Sequence, residues 1–408
     1  MAQTKPLVPF QGVLIDAGFA PAGDWLNADE RIYKGGLKNA FASIASAGFA
    51  PGIWISPFMV SSLSQVYKEH PEWMVRDLQG KPVLHGKGKP FFYAYATHEE
   101  RYYLDSTHPG AFDFLRETFR TYRKWGVKSY KLDFMEWGFK DSATVARHKA
   151  GKTSTQNFVD VLRMIKEEIV PDAYFHDCIT PFAPMLGFAD GMRVGYDVDT
   201  DTWTRDGSTI NMFQETMASQ YINNVLWQND PDVLYVRDGS GTTRLSDDET
   251  VALALWNGIL GGVVSTSDQP HRLPPDRLAL LRFVHPGTQF GKARFPLWGA
   301  NAKAGAFPGL VAVRDYAQGH LHAVLVVNHG EEPIEAKLSL TDLGMAAQSY
   351  VFDWRRGSSK RIGAAKSLEI KLARHQSRLF YVSSKNAPPA DNLGLAGQSV
   401  AGLPGTSR

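Results

Sequence analysis

The hexapeptide SYKLDF (129–134) is the stretch that decides the fold. It reads as a short buried strand that ends in a carboxylate, Asp133. Lys131 lies two residues earlier, on the same side of the strand, because side chains alternate along a strand. A cation there holds the carboxylate ionised and nucleophilic. Lys131 therefore favours a functional role for Asp133 over a purely structural cap of the strand end.

Other apolar runs along the chain also end in polar residues, and helix-like segments separate them. Such alternation predicts parallel strands covered by helices. Polar residues at the C-terminal ends of the strands match the rim where a (β/α) barrel carries its active site. A Rossmann-like sheet would instead need a G-x-G-x-x-G turn, which the sequence lacks. The runs are GVLIDAG (12–18), FAPGIWISPFMV (49–60), AYFHDC (173–178), GMRVGYDV (191–198), VLWQNDPD (225–232) and GGVVSTSD (261–268).

The sequence pattern changes near residue 305, where short alternating segments separated by turn residues begin. This pattern predicts an antiparallel β domain. We therefore predict an α/β catalytic barrel over residues 1–304 and a C-terminal β-sandwich over 305–384. The last segment, 385–408, is rich in Pro, Gly, Ala and Ser and is predicted to be a disordered tail.

Composition narrows the class of protein. The formal net charge is +2, from 44 basic and 42 acidic residues, which argues against electrostatically driven binding of nucleic acid. The start of the chain shows no signal peptide, and no apolar run is long enough to span a membrane. A cytoplasmic location is therefore expected. The single cysteine, Cys178, excludes an internal disulfide.

The stretch GYDVDTDTW (195–203) places aspartates at alternate positions, as a calcium loop does. An EF-hand loop that begins at Asp197 needs Gly at its sixth position and Glu at its twelfth, and Thr202 and Ser208 stand there. The histidines show no H-E-x-x-H or paired ligand spacing. A nucleophilic Cys178 would need a nearby base, and the pattern shows none. No metal or other cofactor is expected.

Asp197 ends a second apolar run, four residues after Arg193. Two strand-end carboxylates on one rim, here Asp133 and Asp197, meet the minimum requirement of a glycosidase. Trp54 ends a strand-like run at the same rim. It is either a platform that stacks on a sugar ring or a buried core residue.

Several segments together resemble the family 36 α-galactosidases, which share a clan with family 27. The resemblance covers residues 8–290 and implies a retaining glycosidase on a (β/α)8 TIM-type barrel followed by a β-sandwich. The segments are GFAPGIWISPFMVSSLSQVYKEHPEWMVRD (48–77), YLDSTHPGAFDFLRETFRTYRKWGVKSYKLDF (103–134), DGMRVGYD (190–197) and WQNDPDVL (227–234).

The resemblance also implies the catalytic roles. Asp133 resembles the nucleophile and Asp197 the acid/base of a double displacement. Asp133 would attack the anomeric carbon while Asp197 protonates the leaving oxygen, and water would then release the sugar. Retention of configuration requires carboxyl groups about 5–5.5 Å apart.

Binding roles follow in the same way. Trp54 resembles the sugar-ring platform and Lys131 the lysine that binds ring hydroxyls. Arg193 resembles the arginine near the 2-hydroxyl, and Cys178 resembles the cysteine that lines that side of the sugar. Asp232 matches a further rim position in the substrate site. The substrate partner would be a galactoside or a related pyranoside.

One departure from the family concerns the substrate. Family members carry paired aspartates that bind the 4- and 6-hydroxyls of galactose, and this chain reads Ile15–Asp16. Ile15 cannot accept a hydrogen bond, so a 6-hydroxyl there would be left unpaired. A substrate without the hydroxymethyl group, such as a β-L-arabinopyranoside, would fit. Alternatively, a loop shift brings in another acceptor, such as Asp24.

A second departure concerns the start of the chain. The family has an N-terminal β domain before its first barrel strand, and TKPLVPFQGVLID (4–16) already resembles the second strand. About seven strands are predicted, where a closed barrel needs eight. A fragment, or a homo-oligomer in which a partner supplies the strand, would explain this. An inactive carbohydrate-binding remnant and a transglycosylase are the alternative functions.

Overall fold

The computed structural model describes residues 7–90, 93, 95–140, 143–198, 203, 209–237, 245–285, 293–298, 307–316, 319–355, 358–390 and 393–395. The α-helices are α1 Gly36–Ser46, α2 Gln65–Glu69, α3 Pro109–Lys124, α4 Ser154–Glu168, α5 Thr209–Ser219, α6 Asp247–Leu260 and α7 Pro275–Val284. Short 3₁₀ helices cover Pro71–Trp73, Met135–Phe139, Ala183–Met185 and Pro270–Arg272.

The strands divide between two compact units, 11–193 and 194–408, the second of which also takes in residues 3–10. Those of the first unit are β1 Gly12–Ile15, β2 Ala50–Ile55, β3 Met59–Ser61, β4 Arg76–Asp77, β5 Leu84–Gly88, β6 Glu99–Tyr103, β7 Ser129–Leu132, β8 Val145–Ala146, β9 Tyr174–Asp177 and β10 Gly191–Arg193. Those of the second are β11 Gln228–Asp230, β12 Ala293–Arg294, β13 Leu310–Asp315, β14 Leu321–Val327, β15 Ile334–Ser339, β16 Ser349–Arg355, β17 Ser358–Ala365, β18 Ser367–Leu372 and β19 Ser377–Ser383.

The first unit is built on a parallel sheet in the order β1-β2-β7-β9-β10, which confirms the parallel sheet predicted from the alternating pattern. Register pairs Trp54 of β2 with Lys131 of β7, and Lys131 with His176 of β9. Register partners point to the same side of a sheet, so these three side chains share one face, the inner face. Tyr130 points to the opposite face, where its ring lies 5.8 Å from that of Phe119 in α3.

Helices α3 and α4 cover that opposite face, and each begins at a clear sequence signal. His108 caps α3 by accepting a hydrogen bond from the Gly110 N–H, directly before Pro109. Thr153 and Gln156 form a reciprocal capping box at the start of α4. These signals stabilise the helix starts that follow the sheet strands.

In the second unit, β12-β13-β14-β19-β16-β17 form one antiparallel sheet and β15-β18 a second. Apolar side chains of both sheets, among them Val313, Val324, Leu338 and Ile370, form one core, as in the predicted C-terminal β-sandwich. The other face of the larger sheet belongs to a separate core with the buried helix α6. An eight-stranded closed barrel and a boundary at residue 304 stay predictions.

The segment predicted to be a disordered tail is described at 385–390 and 393–395. Leu395 is buried there, and its N–H donates a 2.9 Å hydrogen bond to the Phe283 carbonyl of α7. Its own carbonyl accepts a 2.9 Å hydrogen bond from the Tyr316 hydroxyl. The remainder of 385–408 lies outside the described residues.

Candidate active site

Asp133 lies directly after β7, and its carboxylate is held by two N–H groups. The Trp54 indole Nε1 donates to Oδ2 at 2.9 Å, and the Phe134 backbone N–H donates to Oδ1 at 2.7 Å. The Asp133 N–H in turn donates to the Ile55 carbonyl of β2 at 2.9 Å. Both the side chain and its backbone are therefore fixed, which is what a nucleophile that must attack along one line requires.

The backbone is strained immediately beyond two of the strands that meet here. Phe134 has φ 51° and Ile179 has φ 44°, a left-handed conformation that is uncommon outside glycine. The Ile179 carbonyl accepts a 3.0 Å hydrogen bond from the Glu136 N–H, which ties the two turns together. Strain of this kind concentrates at functional sites.

Lys131 and Asp16 form an ion pair that reaches across β2. The Lys131 Nζ lies 3.1 Å from Asp16 Oδ2, and Lys131 is largely buried whereas Asp16 is largely exposed. Asp16 Oδ1 also accepts a 2.8 Å hydrogen bond from the Ala17 N–H. The neighbouring Ile15 is buried and pairs in register with Ile53. Asp16 thus remains reachable from solvent while its charge is balanced.

Cys178 and Arg193 form a third contact at this end of the sheet. The Arg193 guanidinium lies 4.0 Å from the Cys178 sulfur, and both side chains are buried. Burial, together with the negative charge of Asp133, raises the pKa of the Cys178 thiol well above its ordinary value. Cys178 therefore stays a neutral thiol, which argues against its acting as a nucleophile.

Two carboxyl groups that the sequence reasoning missed lie in the electrostatic range of Asp133. Asp177 is 0% exposed. Burial, reinforced by Asp133, raises its pKa well above the ordinary value. Burial, and then the charge of Asp133, raises the pKa of Glu136 to about 7. The only sequence signal for Glu136 was its position three residues after the predicted nucleophile.

Asp197 lies in the second unit, on an exposed segment whose backbone is hydrogen-bonded to other residues of that unit. The Val198 N–H donates to Asp232 Oδ2 at 2.7 Å, and the Tyr196 N–H donates to Glu215 Oε2 at 3.0 Å. The Val194 N–H donates to the Asp230 carbonyl at 3.1 Å. Asp232, predicted to bind substrate, thus supports the backbone beside Asp197, and Glu215 is a support that the sequence did not reveal.

The remaining predictions concern a metal site, the loop compared with an EF-hand, membrane-spanning helices and the alternative acceptor Asp24. Among the described residues, no three His, Cys, Asp or Glu side chains are grouped so that they could hold a metal ion. Most of the loop that was compared with an EF-hand, including Thr202 and Ser208, lies outside the described residues. Of the helices described, none has the length and apolar character needed to cross a membrane. The alternative acceptor Asp24 accepts a 2.9 Å hydrogen bond from the Gln65 N–H at the start of α2.

Comparison with known proteins points to one class. Residues 16–166 match the melibiase family. The α-galactosidase of Escherichia coli is 25% identical over 189 residues, which are 44% of this chain and 24% of that protein. The chain thus spans about a quarter of the length of this curated relative. The fold resembles that of α-galactosidases: TtGalA from Thermus thermophilus, in complex with stachyose, aligns with a TM-score of 0.59 at 24% identity over 70% of this chain and 60% of that chain.

A second solved structure matches over a larger part of both chains. It is Abp, a family 27 β-L-arabinopyranosidase from Geobacillus stearothermophilus, with a TM-score of 0.69 and 18% identity. The alignment covers 95% of this chain and 92% of that one. The likeness extends beyond family 36, so membership of that particular family stays a prediction.

Proposed function

We propose that this chain is a retaining glycoside hydrolase of the α-galactosidase type, with Asp133 as its nucleophile. The observation that carries the proposal is the buried Asp133 carboxylate, held by the Trp54 indole and the Phe134 amide. It stands at the C-terminal end of a parallel sheet, where active sites of such folds lie. A double displacement needs a carboxylate fixed in one orientation and polar groups that hold the sugar. Asp133 meets the first need, and the Lys131–Asp16 and Arg193–Cys178 pairs are suited to the second.

In the first step an Asp133 oxygen forms a bond to the anomeric carbon as the bond to the leaving oxygen breaks. The leaving oxygen takes a proton from Asp197, the role that the sequence resemblance assigns to this residue. In the second step water attacks the anomeric carbon, Asp197 takes its proton, and the Asp133 carboxylate is released. The Trp54 N–H stabilises the carboxylate charge that reappears on Asp133.

The remaining inner-face pairs are suited to binding the sugar. The Lys131 ammonium and the Asp16 carboxylate offer a donor and an acceptor to ring hydroxyls. Arg193 offers donors beside the neutral thiol of Cys178. Because the Lys131 and Asp16 charges balance each other in the free protein, a neutral sugar can replace solvent at this pair without leaving either charge uncompensated.

A β-L-arabinopyranosidase is the second candidate, and Ile15 favours it. The Ile15 side chain is buried and, by its register with Ile53, lies on the face opposite Trp54, so position 15 supplies no acceptor for a 6-hydroxyl beside Asp16. The fold neighbour Abp acts on β-L-arabinopyranosides, according to its name, and aligns over most of both chains. A substrate without a hydroxymethyl group needs no acceptor there, which agrees with the presence of Ile15.

The test is the initial rate on p-nitrophenyl α-D-galactopyranoside and on p-nitrophenyl β-L-arabinopyranoside. We expect turnover of at least one, with loss of at least about 1,000-fold in Asp133→Ala. Asp172→Asn is the control, because Asp172 is an exposed aspartate paired with Lys128 before β7. Turnover retained in Asp133→Ala would overturn the assignment. Sugar binding without any turnover would indicate an inactive carbohydrate-binding protein.

A further inference from the structure

A polar groove of about 450 Å³ runs between helices α3 and α4 of the first unit. On the α3 side it is lined by Phe112 and Arg116, and on the α4 side by Asn157, Asp160 and Glu167. These positions recur every three to four residues on each helix, so one face of each helix forms a wall. None of these five side chains belongs to the cluster around Asp133.

The groove has an unsatisfied donor at its floor. Asn157 is 4% exposed, and its Nδ2 has no hydrogen-bond partner among the residues that the structure describes. A buried amide without a partner costs free energy, and a leucine of similar size would avoid that cost. Because Asn157 lines the groove, a ligand with an acceptor oxygen would pair with this amide, which none of the described residues does.

The rim of the groove selects against a highly charged ligand. Arg116 lies 3.9 Å from Asp113 and 4.0 Å from Glu167, so basic and acidic groups stand side by side. Asp160 is paired in the same way with Arg163 at 3.7 Å. A multivalent anion would meet the carboxylates, and a cation would meet the guanidinium groups. Hydroxyl groups both donate and accept, so a polyhydroxylated neutral ligand matches every member of the rim.

Phe112 adds an apolar element to the wall, with the Arg116 guanidinium 5.3 Å from its ring centroid. Sugars combine hydroxyl edges with apolar C–H faces, and aromatic rings serve such faces. The groove also has a suitable position. Helix α4 leads from the C-terminal end of β7 to the start of β9, so its first turns lie toward the rim that carries Asp133.

We propose that this groove is a second carbohydrate-binding site, which holds sugar units of an oligosaccharide or polysaccharide apart from the unit being cleaved. The choice of sugar rests on the proposed function, whereas the existence of the site rests on Asn157 and the rim. Lys149 contributes a further donor at the edge, since within the described residues its ammonium has no ion-pair partner.

The test is electrophoretic retardation in a native gel that contains galactomannan, in an Asp133→Ala background that cannot degrade it. We expect Asn157→Leu to weaken retardation by about threefold or more, as loss of a ligand hydrogen bond does. The matched control is Asn257→Leu, which changes a buried asparagine of α6 and should leave retardation unchanged. In the background with Asp133 intact, Asn157→Leu should keep kcat/KM on the nitrophenyl glycosides.

Thermal melting separates this role from a structural one. Asn157→Leu removes an unsatisfied buried donor, so its Tm should not fall, whereas a structural asparagine would lower Tm when replaced. Should Asn157→Leu fail to fold, Glu167→Ala tests the same groove, because this side chain is exposed and its removal leaves the core intact. Loss of retardation in Glu167→Ala supports the site, and unchanged retardation refutes it.

The remaining outcomes distinguish this inference from the proposed function. Retardation unaffected by Asn157→Leu in a folded protein overturns the groove site, even when the wild-type chain hydrolyses glycosides. Retardation lost in that variant, in a chain that hydrolyses nothing, supports the groove while the proposed function fails. Retardation by dextran sulfate instead of galactomannan would show an anion site and overturn the inference.

Discussion

The indole Nε1 of Trp54 donates a 2.9 Å hydrogen bond to Oδ2 of Asp133, and the Trp54 side chain is only 2% exposed. The ring of Trp25 packs edge-on against Trp54, with centroids 6.1 Å apart. The sequence left Trp54 either as a sugar platform or as a core residue. The structure adds a third role, because the buried indole orients the carboxylate that we propose as the nucleophile.

We therefore expect Trp54→Phe to lower kcat/KM by about 10- to 100-fold, since a hydrogen bond to a charged group contributes roughly 1.5–3 kcal/mol. The aromatic ring is retained, so the fold should persist. Trp25→Phe is the matched control, because Trp25 is equally buried and packs on the same indole. Equal losses in both variants would show that ring packing, and not the hydrogen bond, supports turnover.

The acid/base role that we propose for Asp197 predicts a dependence on the leaving group. Nitrophenolate departs without protonation, whereas the alkoxide of a sugar does not. Asp197→Ala should therefore lower kcat/KM on stachyose by about 100- to 10,000-fold, and on a nitrophenyl glycoside far less. Rates on the two substrates, measured side by side, check this. Equal losses on both would contradict the assignment.

Asp232 should affect the same step indirectly. Its carboxylate accepts the Val198 N–H at 2.7 Å, next to Asp197 in the chain. Asp232→Asn keeps the size but weakens this charge-assisted bond. We expect a loss of about tenfold in kcat/KM on stachyose and a smaller one on the nitrophenyl glycoside. Equal losses on the two substrates, caused by a raised KM with kcat unchanged, would instead indicate that Asp232 binds the substrate directly.

The sequence predicted the parallel sheet well because a strand buried on both faces reads as a continuous apolar run. The two-residue period of a strand placed Lys131 on the same side of β7 as Asp133. The register that pairs Lys131 with Trp54 and with His176 agrees with this placement. The antiparallel C-terminal sheets were visible for the same reason. Such local patterns indicate where a strand lies and which face each side chain takes. They carry no information on the distant residues that pack against that face.

Other features depend on tertiary packing. Glu136 enters the field of Asp133 because Phe134 adopts φ 51°, and no local pattern predicts a left-handed phenylalanine. Asp177 looked like one more strand-end carboxylate, and only the packing around it makes it fully buried. The Lys131–Asp16 pair joins strands that are separated by 115 residues and by β2 between them, a relation that spacing cannot reveal.

The substrate preference can be tested at Ile15. Because Ile15 pairs with Ile53 in register, its side chain lies on the face opposite Trp54, and a carboxylate in Ile15→Asp should not reach the sugar. We therefore expect the ratio of kcat/KM on the α-galactoside to that on the β-L-arabinopyranoside to change by less than about twofold. Ile15→Leu is the control and should leave the ratio unchanged. A rise of about tenfold or more in Ile15→Asp would show that position 15 contacts the sugar.

The last prediction concerns the pH dependence of stability at Glu136. Burial, then the charge of Asp133, raises its pKa from 4.5 to about 7, and within the described part of the chain its Oε2 is buried without a hydrogen-bond partner. Between these values the folded protein binds more protons here than the unfolded chain, so the free energy of unfolding falls as pH rises. Glu136→Gln cannot ionise and should escape this loss. Asp177 and Tyr103, which share this environment, are unchanged in the variant.

Melting curves from pH 4 to pH 8 measure the effect. Above pH 7 the Tm of Glu136→Gln should exceed that of the wild type by about 2–4 °C, the shift expected if solvent screening leaves about 1 kcal/mol. The difference should vanish toward pH 4.5, because the protonated glutamic acid and the glutamine are then alike. Glu69→Gln, on the short helix α2, is the control for removing a glutamate away from Asp133. A gain of equal size at every pH would mean that packing, and not ionisation, separates the two proteins.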